Sequence, residues 1–455
     1  MSAVCKARKE RKDPIQISDH FNSARLLRYT APTALMMAFT SIYGVVDGLF
    51  VSNFAGKEAF SALNLIFPFV ALLGAIGLMF GTGGTALVAK TLGEGDEKRA
   101  NGIFSMIVYA ILITGVAGAV IGVLCVRPIG ALMGASGTLL DAAVVYGVIC
   151  SLGLPFLMMQ QAAQSFMSAA GKPRLGLFII VGAGLANVVL DALFIVGFGW
   201  GIAGAAAATV ASQVVGGVVP IVYFARPNSS TLRLGRPIVD LRALGKACVN
   251  GSSELVSNIA MSLVGMLYNY QLMRYLGADG VAAYGVIQYV VWIFLSLIMG
   301  FSMGASPLIS YQFGAKNREE LSGLFKRCLR IILIADVALT ALALLLARPV
   351  ALLFVGYDAE VTQLTCDALS VYSFVFLLSG VSIFGSAFFT ALNNGLVSAA
   401  ISFLRTLVFE TSAIMVLPMI FGEMGIWSAI LVAEGMSVLI TTVFLVKLRK
   451  DYGYA

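Results

Sequence analysis

Ionisable side chains inside long apolar stretches are the residues of this chain that could do chemistry. A charge taken out of water is costly and persists only with a partner or a task. Asp47, Asp191, Glu254, Arg405, Glu410 and Glu434 stand well inside such stretches. Asp141, Asp336 and Asp367 read as lying near stretch ends, at the membrane interface. Other chemistries lack their parts. The single histidine, His20, sits in the polar N-terminal segment, and Cys5, Cys125, Cys150, Cys248, Cys328 and Cys366 show no CxxC or CxxH spacing. Neither a transition-metal site, a Ser–His–Asp triad nor a disulfide framework is expected. Gly171 and Lys172 resemble the end of a phosphate-binding loop, but Phe166 occupies its first glycine position. The chain is read as a non-enzyme without a cofactor.

The stretches that hold these residues are read as membrane spans. The chain is 59% hydrophobic and 12% charged, about half the charge of a soluble protein (roughly 25%). Its 48 glycines suit close helix packing in lipid. A span needs about 20 mainly apolar residues. The polar breaks give twelve, at 29–52, 60–90, 101–126, 139–170, 174–197, 201–224, 247–275, 281–314, 326–347, 363–391, 396–420 and 424–447. The fold class is therefore an all-α membrane protein, multi-pass in a bacterial or archaeal cytoplasmic membrane and read as a monomer. Residues 1–27 are polar and basic with no apolar core, a cytoplasmic tail and not a signal peptide. With both termini inside, 25 Lys and Arg fall in cytoplasmic segments and four outside, at Lys57, Arg127, Arg274 and Arg348. That asymmetry orients the chain, and it accounts for the net charge of +7 without nucleic acid as a partner.

The two halves repeat. Residues 56–93 match 277–314 without a gap, pairing Gly56 with Gly277, Gly83 with Gly304 and Gly93 with Gly314. A second match joins 199–211 to 423–435. Six spans per half keep both repeats in one orientation, related by a pseudo-two-fold along the membrane normal. The expected organisation is a tail at 1–27, an N-lobe at 28–226, a cytoplasmic linker at 227–245 and a C-lobe at 246–455. Two bundles of this kind can rock about a central site.

Depth then groups the acids. Asp47 is 19 residues beyond Arg28, Asp191 is 17 beyond Arg174, and Thr209 is 17 before Arg226. All three sit roughly 25–29 Å above the cytoplasmic flank. Asn187 is one turn from Asp191 on the same face. Two carboxylates, an amide and a hydroxyl form an oxygen-rich cluster suited to Na⁺ or to a proton as coupling ion. In the second half, Glu254, Arg405, Glu410 and Glu434 form a candidate polar network. Arg405 should pair with Glu254, Glu410 or Glu434, least readily with Glu410, because i,i+5 spacing points the two to different faces of an α-helix. Gln160, Gln161, Gln164, Gln288 and Trp292 are candidates for an adaptable substrate cavity.

The stretches VVDGLFVSNFAG (45–56), ALVAKTLGEGDEKRA (86–100), NVVLDALFIVGFGWGIAGAAAAT (187–209) and SSELVSN (252–258) resemble the multidrug and toxic compound extrusion (MATE) family. The resemblance implies a two-lobed antiporter that exports cationic or amphipathic small organic molecules against inward Na⁺ or H⁺. The family's N-lobe cation site falls on Asp47, Asn187, Asp191 and Thr209, and a family Glu falls on Glu254. The mid-span Asp that some relatives carry has no counterpart in SVYSFVFLLSGVSIFG (370–385). A lipid-linked oligosaccharide flippase of the same superfamily is the main alternative, and a channel or membrane scaffold the second. The orientation has a direct test. A cysteine placed at Ser230, in the linker, should resist a membrane-impermeant thiol reagent in intact cells and react once the membrane is opened.

Overall fold

The computed structural model describes residues 16–356 and 358–454. The expected tail residues Cys5, Lys6, Arg8, Lys9, Arg11 and Lys12 lie outside it. Fifteen α-helices and three π-helical segments make up its regular structure, in the order α1 (Ser23–Phe50), α2 (Lys57–Gly93), α3 (Glu97–Leu132), α4 (Gly137–Leu152), α5 (Leu154–Ala169), α6 (Pro173–Asp191), α7 (Gly201–Ala225), α8 (Leu241–Tyr275), α9 (Gly277–Gly314), α10 (Arg318–Val355), α11 (Ala359–Ser373), α12 (Val375–Ala391), α13 (Gly395–Ser402), α14 (Thr411–Phe421) and α15 (Glu423–Tyr452). The π-helical segments are Val51–Ala55 after α1, Ala192–Gly197 after α6 and Phe403–Glu410 between α13 and α14.

Nine helical stretches are long and apolar enough to cross a membrane. Two bent pairs, α4–α5 (56°) and α11–α12 (43°), each supply one more. The α4–α5 bend falls at Gly153, just before Pro155 in the first turn of α5, where a proline ring is tolerated and a continued helix is not. The twelfth span is α8. It has 35 residues, ample length, but Lys246, Asn250, Glu254 and Asn258 lower its hydropathy. The longest helices, α9 and α10, have 38 residues. At 1.5 Å per residue they exceed the roughly 30 Å hydrocarbon core and carry the basic loops clear of it.

Packing divides the molecule by depth. On the side of the basic loops, one hydrophobic core runs through both lobes and includes Phe80, Val88 and Leu92 of α2, Ala247 of α8, Leu308 of α9 and Leu324 of α10. On the opposite side the cores are separate. One holds N-lobe residues from Val51 to Ala206, and the other C-lobe residues from Val264 to Ala433. The lobes therefore meet at the basic face and part toward the other. Glycines make the meeting close. A Cβ on Gly83 would lie 2.1 Å from the Ala247 carbonyl oxygen, one on Gly251 1.9 Å from that of Met79, one on Gly93 2.0 Å from that of Tyr311, and one on Gly314 2.1 Å from that of Lys90. The contact obeys the internal repeat. Gly83 packs against Gly251 of α8, and its repeat mate Gly304 packs against Thr30 of α1. Toward the other face, Gly44, Gly265 and Gly285 would meet nothing within 4 Å.

Part of the expected tail and part of the expected linker are docked. Residues 16–22 pack at the basic face. Ile17 and Phe21 are buried in the shared core, the Phe21 N–H donates to Glu320 Oε1 of α10 at 2.9 Å, and His20 Nδ1 lies 2.6 Å from Glu320 Oε2. The sequence marked this stretch as a tail because it is polar on average, whereas two apolar side chains are enough to seat it. The linker likewise lies along α3. Arg233 N–H donates to Asn101 Oδ1 at 2.7 Å, Gly235 N–H to Ser105 Oγ at 2.9 Å, and Leu232 is fully buried.

Backbone atoms meet an added Cβ at Gly251, so the clash cannot be relieved by a rotamer change. Gly251→Ala should cost about 1–3 kcal/mol, the range for overpacking, seen as a lowered thermal unfolding midpoint of the purified protein. Gly265→Ala, with open space around it, should leave the midpoint unchanged.

Candidate cation-binding site

In the N-lobe three helices bring the expected residues together. The Asp47 carboxylate of α1 has Asp191 and Asn187 of α6 and Thr209 of α7 as its polar neighbours. Their atoms remain unpaired. Asp47 Oδ1, both Asp191 carboxylate oxygens, Asn187 Oδ1 and Nδ2, and Thr209 Oγ1 are all buried without a hydrogen-bond partner. Asp191 and Asn187 are themselves buried side chains. Such a concentration of orphaned oxygens is unusual, since buried polar groups are nearly always satisfied. The basic residues on the same helices, Arg25 and Arg28 on α1 and Arg174 on α6, lie at the far ends of those helices. The donors are those a hard monovalent cation prefers, and the same carboxylates can carry a proton. A π-helical segment begins directly after Asp191 and four residues after Asp47. Such segments interrupt the α-helical ladder and often mark functional positions.

The surrounding residues include several that the sequence did not single out. Tyr43, one turn before Asp47, reaches Gln160 of α5. Tyr146 and Cys150 of α4 contact one another and face the carboxylate pair. Tyr43 was within reach of the i,i+4 rule. Tyr146 and Cys150 carry no sequence signal.

The expected substrate residues are not gathered in one place. Gln160 and Gln164 are buried inside the N-lobe, with Gln160 against Gly216 of α7. They border an internal void of about 10 Å³, which fits one water and excludes an organic substrate. The void also explains why their carbonyl oxygens lack protein partners. Gln161 is half-buried near Gly74 of α2, Gln288 bonds to Tyr284, and Trp292 is exposed on α9.

In the C-lobe, Arg405 pairs with Glu434. Its Nε donates to Glu434 Oε1 at 2.8 Å and its Nη2 lies 2.7 Å from the same oxygen. Glu410 forms no ion pair with Arg405 among the described residues, as its spacing predicted, and Arg405 takes its partner from another helix. Glu254 joins neither group. It lies half-buried on α8, one turn beyond the Gly251 contact. Asp336 is a second correction. It is not interfacial but lies near the middle of the 38-residue α10, fully buried. Arg127 and Asp141 do stand exposed as an ion pair, 3.6 Å apart.

Twelve helical spans in two pseudo-symmetric lobes, with buried acids on the inner helices, define a polytopic membrane transporter. The chain belongs to the MatE family, whose model matches residues 32–193 and 255–415, one copy in each lobe. Among curated relatives it is similar to the multidrug export protein MepA of Staphylococcus saprophyticus, 25% identical over 430 residues, and to that of Staphylococcus aureus, 24% identical over 431. Each match covers 93% of this chain and 93% of the relative. The fold is also that of a solved outward-facing multidrug resistance MATE family transporter, at TM-score 0.89 and 21% identity, covering 96% of this chain and 98% of that one.

The buried Arg405–Glu434 pair makes a quantitative prediction. Removing one partner of a buried pair typically costs about 3–5 kcal/mol, so Arg405→Met should lower the unfolding midpoint strongly. Combining it with Glu434→Gln should recover part of the loss, with a coupling of at least about 1 kcal/mol.

Proposed function

We propose that this protein is a secondary active antiporter that exports cationic or amphipathic small organic molecules in exchange for Na⁺ or H⁺ by alternating access. Both termini and the basic loops face the cytoplasm, and the chain works as a monomer. The observation that carries the reading is the Asp47–Asn187–Asp191–Thr209 cluster, a half-buried and a fully buried carboxylate with unpaired oxygens and, among the described residues, no lysine or arginine beside them. Their kinship with multidrug export proteins supports the substrate class.

The geometry supports a role for the cluster in coupling. With the lobes parted on the side away from the basic loops, the N-lobe site is closer to the outside than to the cytoplasm. A cation or proton arriving there neutralises the pair and draws α1, α6 and α7 together. When it leaves, the carboxylates repel. A ligand shifts a conformational equilibrium only as far as it binds one state better than the other. Two carboxylates whose repulsion depends on helix spacing provide that difference. Glu254, beside the closed inter-lobe contact, sits where a cationic substrate would approach the floor of the cleft.

Asp47→Asn and Asp191→Asn should each give folded, membrane-inserted protein, since the amide removes the buried charge. Each should lose gradient-driven export in proteoliposomes. Asn187→Ala and Thr209→Ala should weaken ion affinity by about tenfold, equivalent to about 1.4 kcal/mol. Imposing a Na⁺ gradient at constant pH, and a pH gradient without Na⁺, identifies the coupling ion. Wild-type export by either Asp→Asn variant would remove that residue from the coupling site.

A further inference from the structure

The N-lobe carries a polar column that the coupling mechanism does not use. On α1, Tyr29, Thr33, Met36, Thr40, Tyr43 and Asp47 alternate at spacings of four and three, which puts them on one face of the helix. On α5, Gln160, Gln164 and Ser168 follow one another at spacings of four. The two faces are joined by hydrogen bonds near the basic side. Thr33 Oγ1 lies 2.9 Å from Ser168 Oγ, the Tyr29 hydroxyl donates to the Ser168 carbonyl, and Ser168 Oγ donates to the Gln164 carbonyl at 3.4 Å. Tyr29, Thr33 and Ser168 are all buried.

Farther along the column stands Met36, the one apolar member of the α1 stripe. It borders the space of about 10 Å³ beside Gln160 and Gln164. α6 closes this space at Gly176, where a Cβ would fall 3.5 Å from Met36 Sδ and 3.1 Å from Met167 Cβ. α7 closes it at Gly216, where a Cβ would fall 2.7 Å from Gln160 Nε2. Gln160 and Gln164 are buried, and the side-chain oxygen of each has no hydrogen-bond partner. Two buried acceptors on one helix face call for a donor between them. Apart from the two glycines, the other residues around the space are Met36, Ala163, Met167, Ile179, Ile180 and Pro220, whose side chains have no polar hydrogen to give. The space has room for one water and nothing larger.

We propose that this space is a water site. One ordered water donates its two hydrogens to Gln160 Oε1 and Gln164 Oε1, and it stands where the α1 stripe has Met36 in place of a polar group. With it the column continues from the Thr33–Ser168 bond to Gln160, inside the N-lobe and apart from the cleft between the lobes. Tyr43, one turn before Asp47, reaches Gln160 and extends the column toward the carboxylates. The Thr33–Ser168 bond is the seal at the other end. Thr33 lies between Ser168 and α9 of the C-lobe. A Cβ on Gly304 would fall 3.2 Å from Thr33 Oγ1, and one on Gly300 2.7 Å from the Thr33 carbonyl oxygen. The water exchanges with the seam of the two lobes through this hydroxyl pair. The site stands or falls without regard to what the Asp47 cluster couples.

The test is radiolytic hydroxyl labelling of the full-length purified protein, with no substrate and no ion gradient. Radicals form at bound water and oxidise the side chains beside it. Met36, Met158, Met159 and Met167 are all buried, but of these only Met36 and Met167 border the space. Labelling should appear at Met36 and Met167 and be absent at Met158 and Met159. Gln164→Leu should abolish it. Should that variant fail to fold, Ala163→Val keeps both glutamines, fills the space with methyl groups, and should abolish it too. When the protein is mixed with ¹⁸O water before irradiation, the heavy label should enter Met36 and Met167 after a lag, and Thr33→Ala should shorten the lag. Labelling at Met36 and Met167 no greater than at Met158 and Met159 overturns the water site, and so does labelling that survives both variants. An unchanged lag in Thr33→Ala overturns the Thr33–Ser168 pair as the seal.

Discussion

A carboxylate surrounded by lipid-embedded helices has no water to turn to, and the two lobes answer that constraint in opposite ways. The C-lobe supplies its own counter-charge by placing Arg405 within 2.7 Å of Glu434. In the N-lobe, Asp47 and Asp191 face each other with an amide and a hydroxyl for company and no basic side chain among the described residues, and in the proposed function neutrality there comes from outside the chain. An internal cation makes a permanent structure, because breaking the pair leaves a bare charge. An external one makes a reversible structure, because occupancy follows concentration.

The repeat sharpens this contrast. The helices that build the N-lobe cluster, the first, fifth and sixth spans, correspond to the seventh, eleventh and twelfth in the C-lobe. Those carry polar groups at matching depths: Gln271 on α8, Arg405 and Glu410 in the π-helical segment, and Glu434 on α15. The two lobes thus place polar groups on corresponding helices with different means of holding charge. At the basic face the symmetry survives nearly intact, since Gly83 against Gly251 and Gly304 against Thr30 are the same contact made once by each lobe.

Much of this was legible in the sequence because lipid imposes such a plain code. Span positions, lobe repeat and the meeting of Asp47, Asn187, Asp191 and Thr209 all follow from counting apolar residues at a fixed rise. What the code missed has physical causes. Asp336 stands ten residues inside the 326–347 stretch, so its own position already argued against an interface, and the helix buries it mid-span. Gln160 and Gln164 looked like cavity residues because amides in a membrane suggest a wet surface, but they line one side of a water-sized space inside the N-lobe. The seating of residues 16–22 depends on two apolar side chains in a polar context, too few for any average to register.

That seated segment has a mechanical consequence. Phe21 is buried beside α10 of the C-lobe, and two residues later the chain enters α1, the N-lobe helix that bears Asp47. The two lobes are therefore joined at the basic face by a stitch far shorter than the 227–245 linker. A rotation that opened this face would have to unpick Phe21 from Glu320 or drag the start of α1 with it. Strain applied at the stitch travels along one continuous helix to Asp47, so the covalent chain itself is a lever between the seam of the two lobes and the buried carboxylates.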